Sequence, residues 1–272
     1  MKKTDLLAGT IVLVLALSGF SLNAEGSAKP GSWEKIGPGN EWGDTIGAVG
    51  LGASMFSIEG SGALYETNVQ TGVWKQIGKS EFQNTIFLLA GTSALYTIEK
   101  DGSLYKVNPG TGAWVGLGKA GDWANTIAAA TIGDILYTVE QSGALYMTDL
   151  ATAQWKQIGG NEFANTIALL ASGGNLISAE KDGTLYQINA GNGTWKQLGK
   201  AQDYANTITG AVIGATLYTV EKSGALYATN LTSAKWIQIG AAEFEHTAML
   251  IKVGTELYSL ETDGSLYHIF TR

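Results

Sequence analysis

Residues 74–114 read WKQIGKSEFQNTIFLLAGTSALYTIEKDGSLYKVNPGTGAW, opening and closing on tryptophan in similar surroundings. Trp74–Gly78 (WKQIG) precedes a polar loop, KSEFQN. Thr85–Ala90 (TIFLLA) is apolar after its first residue, which suits a strand packed on both faces. Ala94–Glu99 (ALYTIE) alternates with period 2, as a half-buried strand does. Lys100-Asp101-Gly102 predicts a two-residue Asp-Gly hairpin turn, and Ser103–Asn108 (SLYKVN) the strand beyond it. A Pro-Gly-Thr-Gly loop returns the chain to Trp114. No 3.6-residue apolar stripe of useful length appears, so the chain reads as all-β.

The unit recurs. Trp33, Trp74, Trp114, Trp155, Trp195 and Trp236 follow one another at spacings of 41, 40, 41, 40 and 41. A period near 40 with four strand signals is the mark of a β-propeller blade. Residues 33–272 are therefore expected to form a six-bladed β-propeller of four-stranded antiparallel blades. The alternation of 41 and 40 makes the duplicated unit a pair of blades, present three times. TIFLLA is the inner strand a, ALYTIE is b, SLYKVN is c, and the Trp strand is the outer strand d. The sixth copy supplies a, b and c (Thr247–Val253, Glu256–Glu261, Ser265–Phe270) but no Trp strand, while Trp33–Gly37 precedes any inner strand. The two should pair and close the ring, which leaves no ladder open.

Ahead of the repeats, Lys2 and Lys3 precede a nearly continuous apolar run from Leu6 to Leu17, with small residues after it. Residues 1–24 read as a signal peptide and 25–32 as a short linker, placing the protein in the periplasm or outside the cell. An uncleaved anchor is the competing reading, since Leu6 to Leu22 just reaches spanning length. With no cysteine, neither a disulfide nor a lipid-modified cysteine is available. Removing Lys2, Lys3 and Asp5 with that segment leaves 15 basic and 23 acidic residues, a net charge of −8. That balance argues against nucleic acid or an anionic membrane as partner.

The loops from strand d to strand a carry the repeated polar chemistry, in the pattern acidic-aromatic-x-Asn-Thr. The copies supply Glu41, Trp42 and Asp44; Glu81, Phe82 and Asn84; Asp122, Trp123 and Asn125. Glu162, Phe163 and Asn165 follow, then Asp203, Tyr204 and Asn206; the last copy has Glu243, Phe244, Glu245 and His246. A carboxylate, an amide and an aromatic face together suit a sugar, whose hydroxyls take directional hydrogen bonds while its C–H face stacks on the ring. Trp42, Trp123 and Tyr204 are the expected stacking platforms. The competing reading makes the aromatics wedges between blades. The turns between b and c add Glu59, Glu99, Glu140, Glu180, Glu221 and Glu261, as ligand groups or as hairpin braces. The six framework tryptophans are expected to pack.

The Trp-x-x-Ile-Gly strand, the acidic-aromatic loop after it and the Leu-Tyr pairs of ALYTIEKDGSLYKV resemble the tachylectin/tectonin group of propeller lectins. The likeness covers residues 33–272. It implies repeated sugar sites at the acidic-aromatic-Asn loops and glycans as partners, with Glu245 and His246 departing from the pattern. No cofactor is implied. His246 and His268 are the only histidines, so a triad or a three-His metal site has no residues to build it. A binding protein rather than an enzyme is the expectation, with a protein-interaction scaffold of the cell envelope as the alternative.

Overall fold

The computed structural model describes residues 28–272; the expected signal segment lies outside the described residues. Strand β1 is Trp33–Ile36. Blade 1 follows with β2 (Thr45–Leu51), β3 (Ser54–Glu59), β4 (Leu64–Asn68) and β5 (Trp74–Ile77). Blade 2 holds β6 (Thr85–Ala90), β7 (Leu95–Glu99), β8 (Leu104–Val107) and β9 (Trp114–Leu117). Blade 3 holds β10 (Thr126–Ile132), β11 (Ile135–Glu140), β12 (Leu145–Asp149) and β13 (Trp155–Gln157). Blade 4 holds β14 (Thr166–Ser172), β15 (Asn175–Glu180), β16 (Leu185–Asn189) and β17 (Trp195–Leu198). Blade 5 holds β18 (Thr207–Ile213), β19 (Thr216–Glu221), β20 (Leu226–Asn230) and β21 (Trp236–Gly240). Blade 6 takes β22 (Thr247–Val253), β23 (Glu256–Glu261) and β24 (Leu266–Ile269), with β1 as its outer strand.

Ring closure is as the sequence implies. Trp33 pairs with Ile269 and Ile36 with Leu266, antiparallel, so the first strand completes the last blade. Gly31 N–H and Phe270 N–H extend the pairing, donating to Phe270 O and Ser32 O. The core is six seams rather than one centre. Each hydrophobic cluster joins two adjacent blades: Ile58 and Leu64 of blade 1 pack with Leu95 and Val107 of blade 2, for example. A blade is a single sheet and can bury its two faces only against its neighbours.

Two local details differ from the sequence reading. The hairpin between b and c has a three-residue loop, in which Glu99 N–H donates to Ser103 O and only Gly102 takes a positive φ, of 78°. A two-residue type I′ turn needs both central residues in that region, and Asp101 is not there. Its side chain instead accepts from Ser103 N–H at 2.9 Å, holding the turn and lowering the Asp101 pKa. The second difference is a β-bulge after the first residue of every inner strand, between Thr45 and Gly47 and at the equivalent place in the other five blades. The bulged residue is Ile46, Ile86, Ile127, Ile167, Ile208 or Ala248. Uniformly apolar strands give no alternation from which to read such a slip.

Candidate functional site

Each loop from d to a is fixed at both ends. Its aromatic residue donates its backbone N–H to the turn glycine of the preceding blade, as Trp123 does to Gly102 and Phe82 to Gly62, at 3.0–3.1 Å in all six copies. The carbonyl two residues on accepts from the turn of the loop's own blade, as Asn84 O does from Lys100 N–H at 2.8 Å. The turn glycines are required twice over. Their φ is positive, and a Cβ on Gly102 would run into the backbone of Ala124.

This docking drives the aromatic side chains inward. Trp42, Phe82, Trp123, Phe163, Tyr204 and Phe244 are 1–7% exposed, each set in the seam between two blades. None offers a face to solvent, so the stacking role expected of Trp42, Trp123 and Tyr204, and of Phe82 and Phe163 beside them, is corrected to that of a wedge.

The same packing explains why the ring type alternates. Trp42 Nε1 donates to Thr67 Oγ1 at 3.3 Å, and the Tyr204 hydroxyl to Thr229 Oγ1 at 3.2 Å. Phe82, Phe163 and Phe244 share their clusters with Val107, Ile188 and Ile269, the residues at the threonine position. A ring with a polar handle is matched by a hydroxyl, and a ring without one by an aliphatic side chain. The 41/40 spacing also resolves into one residue. Loops into blades 1, 3 and 5 carry an extra residue before the acidic position: Asn40, Gly121 and Gln202, at φ of 60°, 88° and 67°.

The acidic and amide side chains stay at the surface. Glu41, Asp44, Glu81, Asn84, Asp122, Asn125, Glu162, Asn165, Asp203 and Asn206 are all exposed. In blades 2, 3 and 5 the acidic residue and the asparagine line a cleft, and blade 6 repeats it with Glu243 and His246. The blade 3 cleft, of about 410 Å³, is bounded by Asp122 and Asn125, by Glu140 and by Tyr146 and Trp155. The other wall is thus the outer tryptophan. All six framework tryptophans are 44–54% exposed, each held edge-on against a tyrosine of strand c at 4.7–5.4 Å between ring centres. They pack on one side, as expected, and leave the rest of the indole open to solvent. Strand d is the outermost, with no fifth strand to cover it; the strand assignment already contained that exposure.

The glutamates at the b–c turns brace. In every blade the first threonine of strand a donates to that glutamate's Oε1, at 2.8–3.0 Å. Burial raises the pKa of Glu59, Glu99, Glu140, Glu180 and Glu261 above the usual carboxylate value, and the threonine hydroxyl opposes the shift. Among the described residues no group of three His, Cys, Asp or Glu stands ready to hold a metal. His246 lies beside Glu245 at 3.4 Å, and His268 is held between Glu34 and Glu256 at 3.2 Å each. A further cavity of about 520 Å³ lies on the axis, lined by small and apolar residues of the inner strands with Lys252 among them.

No protein-family model and no curated protein matches the chain. Among solved structures, the computationally designed Ika8 protein aligns over 83% of this chain and 70% of its own, with 16% identity and a TM-score of 0.54. PorZ of Porphyromonas gingivalis, a surface component of the type-IX secretion system, aligns over 88% of this chain with 12% identity and a TM-score of 0.53; only 39% of PorZ is covered. BamB of Moraxella catarrhalis aligns over 81% of this chain and 68% of its own, with 18% identity and a TM-score of 0.47. At these identities the likeness is one of fold. Among the described residues no helix is long and apolar enough to cross a membrane.

Proposed function

We propose that the protein is a multivalent carbohydrate-binding propeller of the tachylectin/tectonin type, exported from the cytoplasm, whose sites are the clefts between the d–a loop and the outer tryptophan of the same blade. The observation that carries this is the recurrence, blade after blade, of a half-exposed indole facing a carboxylate and an amide. An indole face stacks on the C–H face of a sugar, while the carboxylate and amide pair with its hydroxyls. One such cleft binds weakly, because hydroxyls must be desolvated for few apolar contacts. Several clefts on one ring raise apparent affinity by about 10²–10⁴ where a dense or branched glycan reaches them together. No reacting group is needed for this, and binding rather than catalysis is the proposed activity.

A glycan array probed with the purified chain tests the reading. Capture of glycans is expected, with loss on replacing Trp155 and Trp236 by alanine while the melting temperature holds. A second reading, a protein-interaction scaffold of the envelope, is favoured by the exposed apolar side chains of the outer rim, Val73, Val115 and Ile237, each at least 59% exposed. A scaffold would be silent on the array.

A further inference from the structure

The six outer indoles differ in one bond. In blades 1, 2 and 6 the loop glutamate reaches across and accepts the outer indole N–H: Glu41 from Trp74 at 2.8 Å, Glu81 from Trp114 at 3.2 Å, and Glu243 from Trp33 at 3.0 Å. In blades 3 and 5 the acidic residue is aspartate, one methylene shorter. Asp122 instead accepts from Lys119 N–H at 3.1 Å, and Asp203 from Lys200 N–H at 2.8 Å. The indoles of Trp155 and Trp236 are left with no protein acceptor among the described residues, and so is that of Trp195 in blade 4, where the loop glutamate makes no latch. Blade 1 shows why the aspartates are tied back: three residues before Glu41 stands Pro38, which has no N–H to give.

Buried hydroxyls without a partner do not separate the blades, since Ser57, Thr97, Thr148, Ser178, Thr219 and Ser259 place one in each of the six. The indole bond does: the clefts of blades 2 and 6 hold a latched indole, Trp114 and Trp33, and those of blades 3 and 5 an unlatched one. In blade 4 Glu162 turns back over Gly160.

We infer that the glutamates of blades 1, 2 and 6 are internal latches occupying the place of a ligand oxygen, so that the open sites are those of blades 3 and 5. The inference rests on the carbohydrate reading for its ligand class. The latch carboxylate marks where a ligand oxygen sits, about 3 Å from the indole N–H. That oxygen belongs to a neutral hydroxyl. Asp122 with Glu140, and Asp203 with Glu221, already crowd the two clefts with carboxylates, so a hydroxyl that accepts from the indole and donates to the aspartate fits. A uronate would face like charge. The selected class is therefore a neutral glycan, bound at two sites per chain.

The latch can be measured without a ligand. Solvent exchange of the indole N–H protons, recorded by NMR on the folded chain and assigned with single Trp→Phe variants, should be fast for Trp155, Trp195 and Trp236. It should be slower for Trp33, Trp74 and Trp114; equal rates would overturn the latch. For the ligand, titrations would compare neutral hexaoses of glucose, galactose and mannose with hexagalacturonate. Two neutral sugars per chain are expected, with at least tenfold weaker binding of the uronate. Lys119→Pro with Asp122→Glu, and Lys200→Pro with Asp203→Glu, transplant the blade 1 latch. The combined variant should protect both indoles and lose binding while melting as the parent does. Binding retained with the indoles protected would sink the assignment of sites. Absence of all sugar binding by the parent would overturn the carbohydrate reading and the ligand class, leaving the exchange rates to decide the latch.

Discussion

Ala153 and Ala234 hold φ of 56° and 55° in the loops between strands c and d, where Gly72, Gly112 and Gly193 occupy the equivalent turns. A Cβ in the left-handed region costs roughly 1–2 kcal/mol, against which a glycine loses about 0.4–1 kcal/mol of unfolded-state advantage. Ala153→Gly should therefore stabilise the fold by about 0.5–1 kcal/mol, read as a higher urea midpoint at unchanged slope; a lower midpoint would contradict it. Trp123 presents the opposite case. At 2% exposure it fills the seam between blades 2 and 3, and Trp123→Ala should cost about 3–5 kcal/mol. A platform at the surface would cost far less. Glu99 makes a pH test. Its folded-state pKa is raised by burial, so its charged form weakens the fold. That penalty is absent below the ordinary value of 4.5 and grows as pH rises through the raised one. Glu99→Gln keeps an acceptor for Thr85 and should stabilise the protein at pH 8 more than at pH 4. A gain that is the same at both pH values would refute the sign.

Among elements, the closing strand carries the most consequence. β1 buries only Ile36 of its four residues, yet its ladder to β24 covers an edge that every other blade covers from within. A chain lacking residues 33–37 should lose cooperative melting or aggregate through the bared edge. Melting like the parent would show that the ring does not need its seam. The seam is clipped by His268 on β24, which meets Glu34 on β1 and Glu256 on β23; blade 1 has the counterpart in Glu66, held by Lys75 and Ser54. Both His268 contacts are hydrogen bonds only when both ring nitrogens carry protons. Pairing with His268 lowers the Glu256 pKa, so that carboxylate's contribution is present above pH 4.5 and is lost as pH falls through the lowered value. Strand order, ring closure and the identity of the inner strand were legible, because period, Asp-Gly turns and the missing last Trp strand constrain one another. The bulge was not, since TIFLLA is apolar at every position where a slip would show.

For the whole molecule, the ring of clefts was half legible. Repetition pointed to the loops, and the acidic and amide residues are where that pattern puts them. The burial of the loop aromatics was not legible, because it is set by docking of each loop onto a neighbouring blade's turn glycine, a tertiary contact. Phe82 with Val107 and Trp42 with Thr67 carried the correct signal, a ring matched to its partner within the repeat. Binding on more than one blade at once is the central proposal. A crystal structure with a neutral oligosaccharide chosen from the array tests it most directly. The account predicts sugar rings stacked on Trp155 and Trp236, with hydroxyls at Asp122 and Asp203. Sugar in the axial cavity or away from the outer tryptophans, or an array on which the folded chain captures nothing, would contradict it.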